Sequence, residues 1–218
     1  MKRGFALLAG MAVSACAPVF SDLQSAKLVG KGRVEATPGF TSVSSSGAGG
    51  CENCGVQAVG GGSSSHVQNH AGLQLATGVD DKVDLRVRYE HVWVEGGGGV
   101  NVLGFGPKVQ LFRNYAALYV PVGFAFGGGI DSAETWAVHP TLLLTGQVHP
   151  SVEINWSAKY LVPFSEEGGD NLLAFNLGLG LGPPNGRWTL RPEFGWLMDP
   201  GEDGHFTQFS IGLSIRTE

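Results

Sequence analysis

The sequence predicts an all-β fold: an up-and-down antiparallel transmembrane β-barrel of about ten strands, with eight as the smaller alternative. Three observations carry that prediction. The stretch VDLRVRYEHVWV, residues 83–94, puts Val83, Leu85, Val87, Tyr89 and Trp93 on one face and Asp84, Arg86, Arg88 and Glu90 on the other, which is the two-residue period of a strand. Similar stretches recur to the end of the chain, each near the about 9–11 residues that a tilted spanning strand needs. The connections alternate as well: GVDDK, RN, HPS and PPNG are short, whereas the first loop, EGGGG, GGGIDSAET, SEEGGD and MDPGEDG are on average longer. A soluble sandwich would turn the apolar face to a core; a closed barrel turns it to lipid and the charged face to its lumen.

Composition narrows the class further. With 218 residues, 43% hydrophobic and 15% charged, there is chain for one domain and too much apolar surface for wholesale disorder. The 35 glycines argue against long helices and for turns, bends and close backbone approach. A net charge of -5 leaves no basic footprint for nucleic acid, and no nucleic-acid partner is expected.

The N-terminus, MKRGFALLAGMAVSAC, carries Lys2 and Arg3 and then an apolar run from Phe5. It reads as a secretory signal peptide over residues 1–15, too short for a spanning helix. Val13-Ser14-Ala15-Cys16 resembles the lipobox of bacterial lipoproteins, which implies lipidation of Cys16; the alternative is an ordinary signal peptide cut at Ala15 or Ala17. Removing residues 1–15 leaves 12 cations against 19 anions, a distinctly acidic mature chain. Residues 16–32 then read as a periplasmic tether with no fold of its own, and residues 33–218 as the barrel.

Cys51 and Cys54 lie in GGCENCGV, amid Gly and Ser. No second CxxC or HxxxH accompanies them, so zinc is not expected, nor is a thioredoxin-type redox pair, which precedes a helix. An exported compartment permits a local disulfide between them; an incidental pair is the alternative.

Taken in order, RVEATPGFTSV alternates, and Pro38 suits it to a first or edge strand. Residues 47–65 form a long Gly/Ser loop. HAGLQLAT and the residue 83–94 strand make a hairpin through GVDDK. VNVLGFGPKVQLF sets Leu103, Phe105, Val109 and Leu111 against Gly104, Gly106, Lys108 and Gln110, and Arg113-Asn114 turns it into YAALYVPVGFAF. Residues 136–148 put His139, Thr141, Thr145 and Gln147 on the more polar face, with Leu143 as an exception. SVEINWSAKYLVPF, NLLAFNLGLGLG, RWTLRPEFGW and HFTQFSIGLSIR complete the set. Short turns belong on the periplasmic side of such barrels and longer loops outside, which places both termini in the periplasm. Trp93, Phe126, Trp136, Phe164, Trp196 and Phe206 then fall at the outer strand ends, and Phe112, Tyr115 and Trp188 at the inner ends, as two aromatic girdles.

On these residues, from Arg33 to Arg216, the chain resembles the small outer-membrane β-barrel families of Gram-negative bacteria, the OmpA-like and OmpX-like group. The resemblance is architectural and rests on pattern. It implies location in the bacterial outer membrane, with outer-membrane lipid and the barrel-assembly machinery as partners. Those families usually end on an aromatic residue, whereas this chain ends Ile215-Arg216-Thr217-Glu218.

The lumen face carries Glu35, Asp84, Glu90, Glu153 and Glu193 against Arg33, Arg86, Arg88, Lys108, Lys159 and Arg191. A lone Arg or Lys on the lipid face costs roughly 2–4 kcal/mol at the midplane, so these residues face inward, where they need partners. Two readings stand: a salt-bridge network that fills a narrow barrel, and a polar pathway for a small, cation-preferring pore. The longer connections hold Glu52, Glu95, Asp131, Glu134, Glu166, Glu167, Asp170, Asp199, Glu202 and Asp203 with no Lys or Arg. Such a rim suits divalent cations or lipopolysaccharide, or is plainly solvated. His91, His139, His149, His205, Ser157 and Ser210 form no recognisable catalytic motif; neither an enzymatic activity nor a cofactor is expected, with an outer-membrane lipid hydrolase as the enzymatic alternative. The sequence thus reads as a structural, surface-interaction or narrow-pore barrel, with a lipid-anchored β-sandwich or lipocalin-like binder as the soluble alternative.

Overall fold

A computed structural model describes residues 21–46, 65–94, 99–128, 130–165, 171–184, 186–200 and 205–217. The expected signal peptide, Cys16, the Cys51 and Cys54 pair, and the loop acids Glu52, Glu95, Glu166, Glu167, Asp170, Glu202 and Asp203 lie outside the described residues.

Twelve strand segments follow one another: β1 (Val34–Ser46), β2 (Ser65–Asp80), β3 (Val83–Val94), β4 (Gly99–Phe112), β5 (Ala116–Tyr119), β6 (Val122–Phe126), β7 (Ala137–Val138), β8 (Thr141–His149), β9 (Val152–Pro163), β10 (Leu172–Leu181), β11 (Trp188–Met198) and β12 (His205–Arg216). β5 and β6 are one wall strand interrupted at Val120 and Pro121, and β7 and β8 one interrupted at His139 and Pro140. A proline has no N–H to give the ladder, so each break falls where one donor is missing. Both ends of the pair still match, β5 on β8 and β6 on β7. The result is a closed antiparallel barrel of ten wall strands with up-and-down connections.

The seam is β1 against β12, with Glu35 opposite Arg216 and Ser46 opposite His205. β1 also pairs β2 along its length, so of the two readings that Pro38 suggested it is the first strand and not an edge. Closure leaves no edge, and the prolyl residue sits where the ladder to β12 passes from Ala36–Ile215 to Gly39–Gly212.

Alternation sets the two faces. Phe40, Leu73, Leu75, Leu85, Val87, Phe105, Leu177, Ile211 and Leu213 are exposed on the outside, where a barrel in lipid needs apolar side chains. Trp93, Phe164 and Trp196 are exposed near the long-connection ends, and Phe112, Tyr115 and Trp188 near the short-turn ends. Phe206 departs from the expected girdle: it is 2% exposed and points inward. Phe209, Ile211, Leu213 and Ile215 fix the outward parity of β12, and Phe206 falls on the other one.

Candidate functional site: an occupied lumen

The inside of the barrel is not empty of chain. Residues 21–26 and Val29 are buried, with Ala26 fully enclosed. This departs from the expectation of a free tether over residues 16–32: residues 21–29 run inside the wall, and Lys31 and Gly32 are exposed. Gly30 and Gly32 then take the left-handed backbone region (φ 95° and 75°), which glycine adopts without strain. They turn the chain at the short-turn end, where Lys31 pairs with Gly78, and lead it into β1.

Side chains of the wall hold this segment chiefly by its backbone. Glu193 accepts the N–H of Asp22 (2.7 Å) and of Leu23 (2.9 Å). Thr145 Oγ1 accepts the N–H of Ala26 at 2.7 Å, and Asp84 that of Val29 at 3.0 Å. Lys108 Nζ, fully buried, donates to the carbonyl oxygens of Ser25 (2.5 Å) and Lys27 (2.8 Å). Gln74 donates to the Asp22 carbonyl, and Arg88 to both the carbonyl and the hydroxyl of Ser21. A segment without regular secondary structure has no ladder of its own, and buried backbone groups must be paired; here the wall supplies the partners.

Around that axis the ten residues read from sequence as a lumen charge network sort into clusters. Glu35 accepts from Arg216 and Arg86, and Asp84 lies 3.7 Å from Arg86. Arg88 pairs with Glu90, which also meets His70 at 3.1 Å. Arg191 and Lys27 both pair with Glu153, at 2.9 and 2.8 Å. Lys159 pairs with Asp22 at 2.9 Å, a segment residue the sequence reading left out. Lys108 and Glu193 meet the segment's carbonyl and N–H groups. Arg33, counted on the lumen face, is exposed instead.

Two further inward features now have reasons. Leu143, the apolar exception on β8, packs with Ala26, Ala117 and Tyr119; it receives the segment's methyl group. Gly39 and Gly212, paired across the seam, face Leu23, and a Cβ on Gly39 would stand 2.5 Å from Leu23 Cδ1. Small wall residues leave room for the plug.

The lumen changes character along its length. At the short-turn mouth, a polar vestibule of about 240 Å³ is lined by Lys27, Glu153, Arg191 and Arg216, among others. Deeper, a gap of about 30 Å³ beside Asp22, Arg88, His139 and Lys159 has room for about two waters. Toward the long connections the inward face turns apolar, with Val43, Leu161, Leu172, Leu197 and Phe206 in one cluster and Val92, Val102 and Ala125 in another.

Of the hydroxyls considered for catalysis, Ser157 donates to Asp22 and Ser210 bonds to Thr41. Among the described residues no three His, Cys, Asp or Glu side chains converge on a metal-sized site. Of the described loop acids, Asp131 and Glu134 are exposed, whereas Asp199 is buried.

No family model matches the chain, and no curated protein matches its sequence. Solved structures similar to it include Ail, the attachment invasion locus protein of Yersinia pestis, at 11% identity over 86% of this chain and 99% of that one, with a TM-score of 0.38. The N-terminal β-barrel domain of Pseudomonas aeruginosa OprF is similar at 11% identity over 86% and 99%, with a TM-score of 0.36. The translocator domain of the autotransporter NalP from Neisseria meningitidis is similar at 11% identity over 85% and 88%, with a TM-score of 0.47.

Proposed function

We propose that this chain is a bacterial outer-membrane β-barrel closed by its own N-terminal segment, serving as a structural and surface-interaction protein rather than an open pore. The observation that carries this reading is the set of bonds from Glu193, Lys108, Thr145, Asp84 and Arg88 to the backbone of residues 21–29. Lumen charges committed to a resident peptide are not available to conduct ions. Barrels near eight strands are filled by side chains, and wide aqueous channels come at about 16; ten strands leave space for a peptide, and a peptide fills it. The apolar outer belt supports insertion in a bilayer. At the outer rim the exposed Asp131 and Glu134 suit divalent cations that bridge to lipopolysaccharide. We assign no catalytic role.

Planar-bilayer recording tests the closure. The purified full chain is expected to show no discrete conductance, and a variant lacking residues 21–29 to show steps. Steady unitary steps from the full chain overturn the proposal.

A further inference from the structure

We propose that the vestibule at the short-turn mouth is a binding site for a small anion that carries a phosphate group. The space comes from the strand pattern. In β10 the run Gly178-Leu179-Gly180-Leu181 turns its leucines out and its glycines in, and Gly182 follows the strand. A methyl group on Gly180 would collide with the Glu153 side chain, and one on Gly182 with the Trp188 carbonyl. These glycines leave a polar cavity of about 240 Å³. Pockets for drug-sized ligands take roughly 300–1,000 Å³, so this one suits a small solute.

The lining offers donors with capacity to spare. Lys27, Arg191 and Arg216 face the cavity against a single carboxylate among its lining residues, Glu153. That carboxylate is already committed: Oε1 accepts from Arg191 Nη1, and Oε2 lies 2.8 Å from Lys27 Nζ. The guanidinium groups are only partly used. Arg191 gives Nε to Ser214 and Nη1 to Glu153, and Arg216 gives Nε to Glu35; a guanidinium carries five N–H donors, so each has some left over. Ser151 and Thr189, also on the lining, add hydroxyls.

These groups reach the space from different sides: Lys27 from the lumen segment, Ser151 from the turn before β9, Arg191 and Thr189 from β11, and Arg216 from β12. A carboxylate is satisfied by one planar pair of donors, whereas a tetrahedral oxyanion accepts from several directions. Guanidinium forks beside an ammonium match phosphate in both charge and geometry. The approach to the mouth has the same sign. Among the described residues of the short-turn end, Lys31, Arg33, Lys82, Arg113 and Arg187 are exposed, against Asp80 and Asp81. A cleft behind a cationic rim concentrates anions, and in a chain of net charge -5 that rim is a product of the fold rather than of composition.

Calorimetric titration of the purified full chain in a non-ionic detergent, with no other oxyanion in the buffer, tests the site. Inorganic phosphate and glycerol 3-phosphate are the probes and acetate is the control. Saturable binding of at least one phosphate probe, at one site per chain, is expected, with none of acetate. Tighter binding of inorganic phosphate identifies the free ion as the ligand, and tighter binding of glycerol 3-phosphate a phosphorylated solute. Arg216→Gln removes donors, and Thr189→Met fills the cavity with an uncharged side chain. Each should weaken binding about tenfold or more in protein that keeps its heat-modifiable band; if Arg216→Gln does not assemble, Thr189→Met alone decides. Silence from both phosphate probes, equal binding of acetate, or unaltered binding by either folded variant overturns the proposal.

Discussion

The outward and inward faces of the same strands obey different rules. Outside, most positions ask only for an apolar side chain, and Leu177 or Ile211 meets that demand wherever it sits along the strand. Inside, each residue answers to a particular neighbour: Glu35 to two guanidinium groups, Lys108 to two carbonyls, Gly39 to one leucine. A solvent-like environment tolerates exchange among apolar residues, whereas a partnered one tolerates little.

Substitutions can break that contrast in descending order. Glu35→Ala should be the most damaging, because it leaves Arg86 and Arg216 without their shared carboxylate; removing one partner of a buried pair costs about 3–5 kcal/mol. Urea titration of the barrel in vesicles, followed by the heat-modifiable band on gels, would read the lost stability. On the opposite face, Leu177→Arg should cost about 2–4 kcal/mol if the position is near the midplane, whereas Leu177→Ile should be close to neutral in the same titration. A soluble sandwich with a solvated outer face would take the arginine without loss. Smaller still is Gly39→Ala, whose added methyl presses on Leu23 and should cost about 1–3 kcal/mol as an overpacked contact. Asp131→Asn with Glu134→Gln should fall within about 0.5 kcal/mol, as exposed positions do, while weakening any calcium-dependent binding to lipopolysaccharide-containing vesicles.

The same contrast explains what could be read from sequence. Outward faces were legible because lipid imposes a strict alternation, and the charges of Val83–Val94 were placed inward on that ground. Which inward charge meets which was not legible, since partners such as Arg191 and Glu153 are on strands that only the closed barrel brings together. The segment escaped because Ser21, Asp22, Gln24 and Ser25 look in sequence like solvated chain; only their burial against a polar wall distinguishes them. Two signals hinted at it: Leu143 on a polar face, and glycines on an inner face where a filled barrel would place bulk. Phe206 was misplaced for a plainer reason, as an aromatic near a strand end is outward only if its parity agrees with Phe209 and Ile211.

The N-terminal segment also sets an order on assembly. Its bonds to Asn176 and to Glu193 span 154 and 171 residues, and it is tied through Gly30 and Gly32 to β1, the strand whose pairing with β12 shuts the barrel. A peptide enclosed by a ring must be in place before the ring is complete or enter through its mouth. Contacts this distant in sequence make for slow folding. The last strand to arrive therefore seals in the first described residues of the chain, and its zipping serves as the step that fixes the plug.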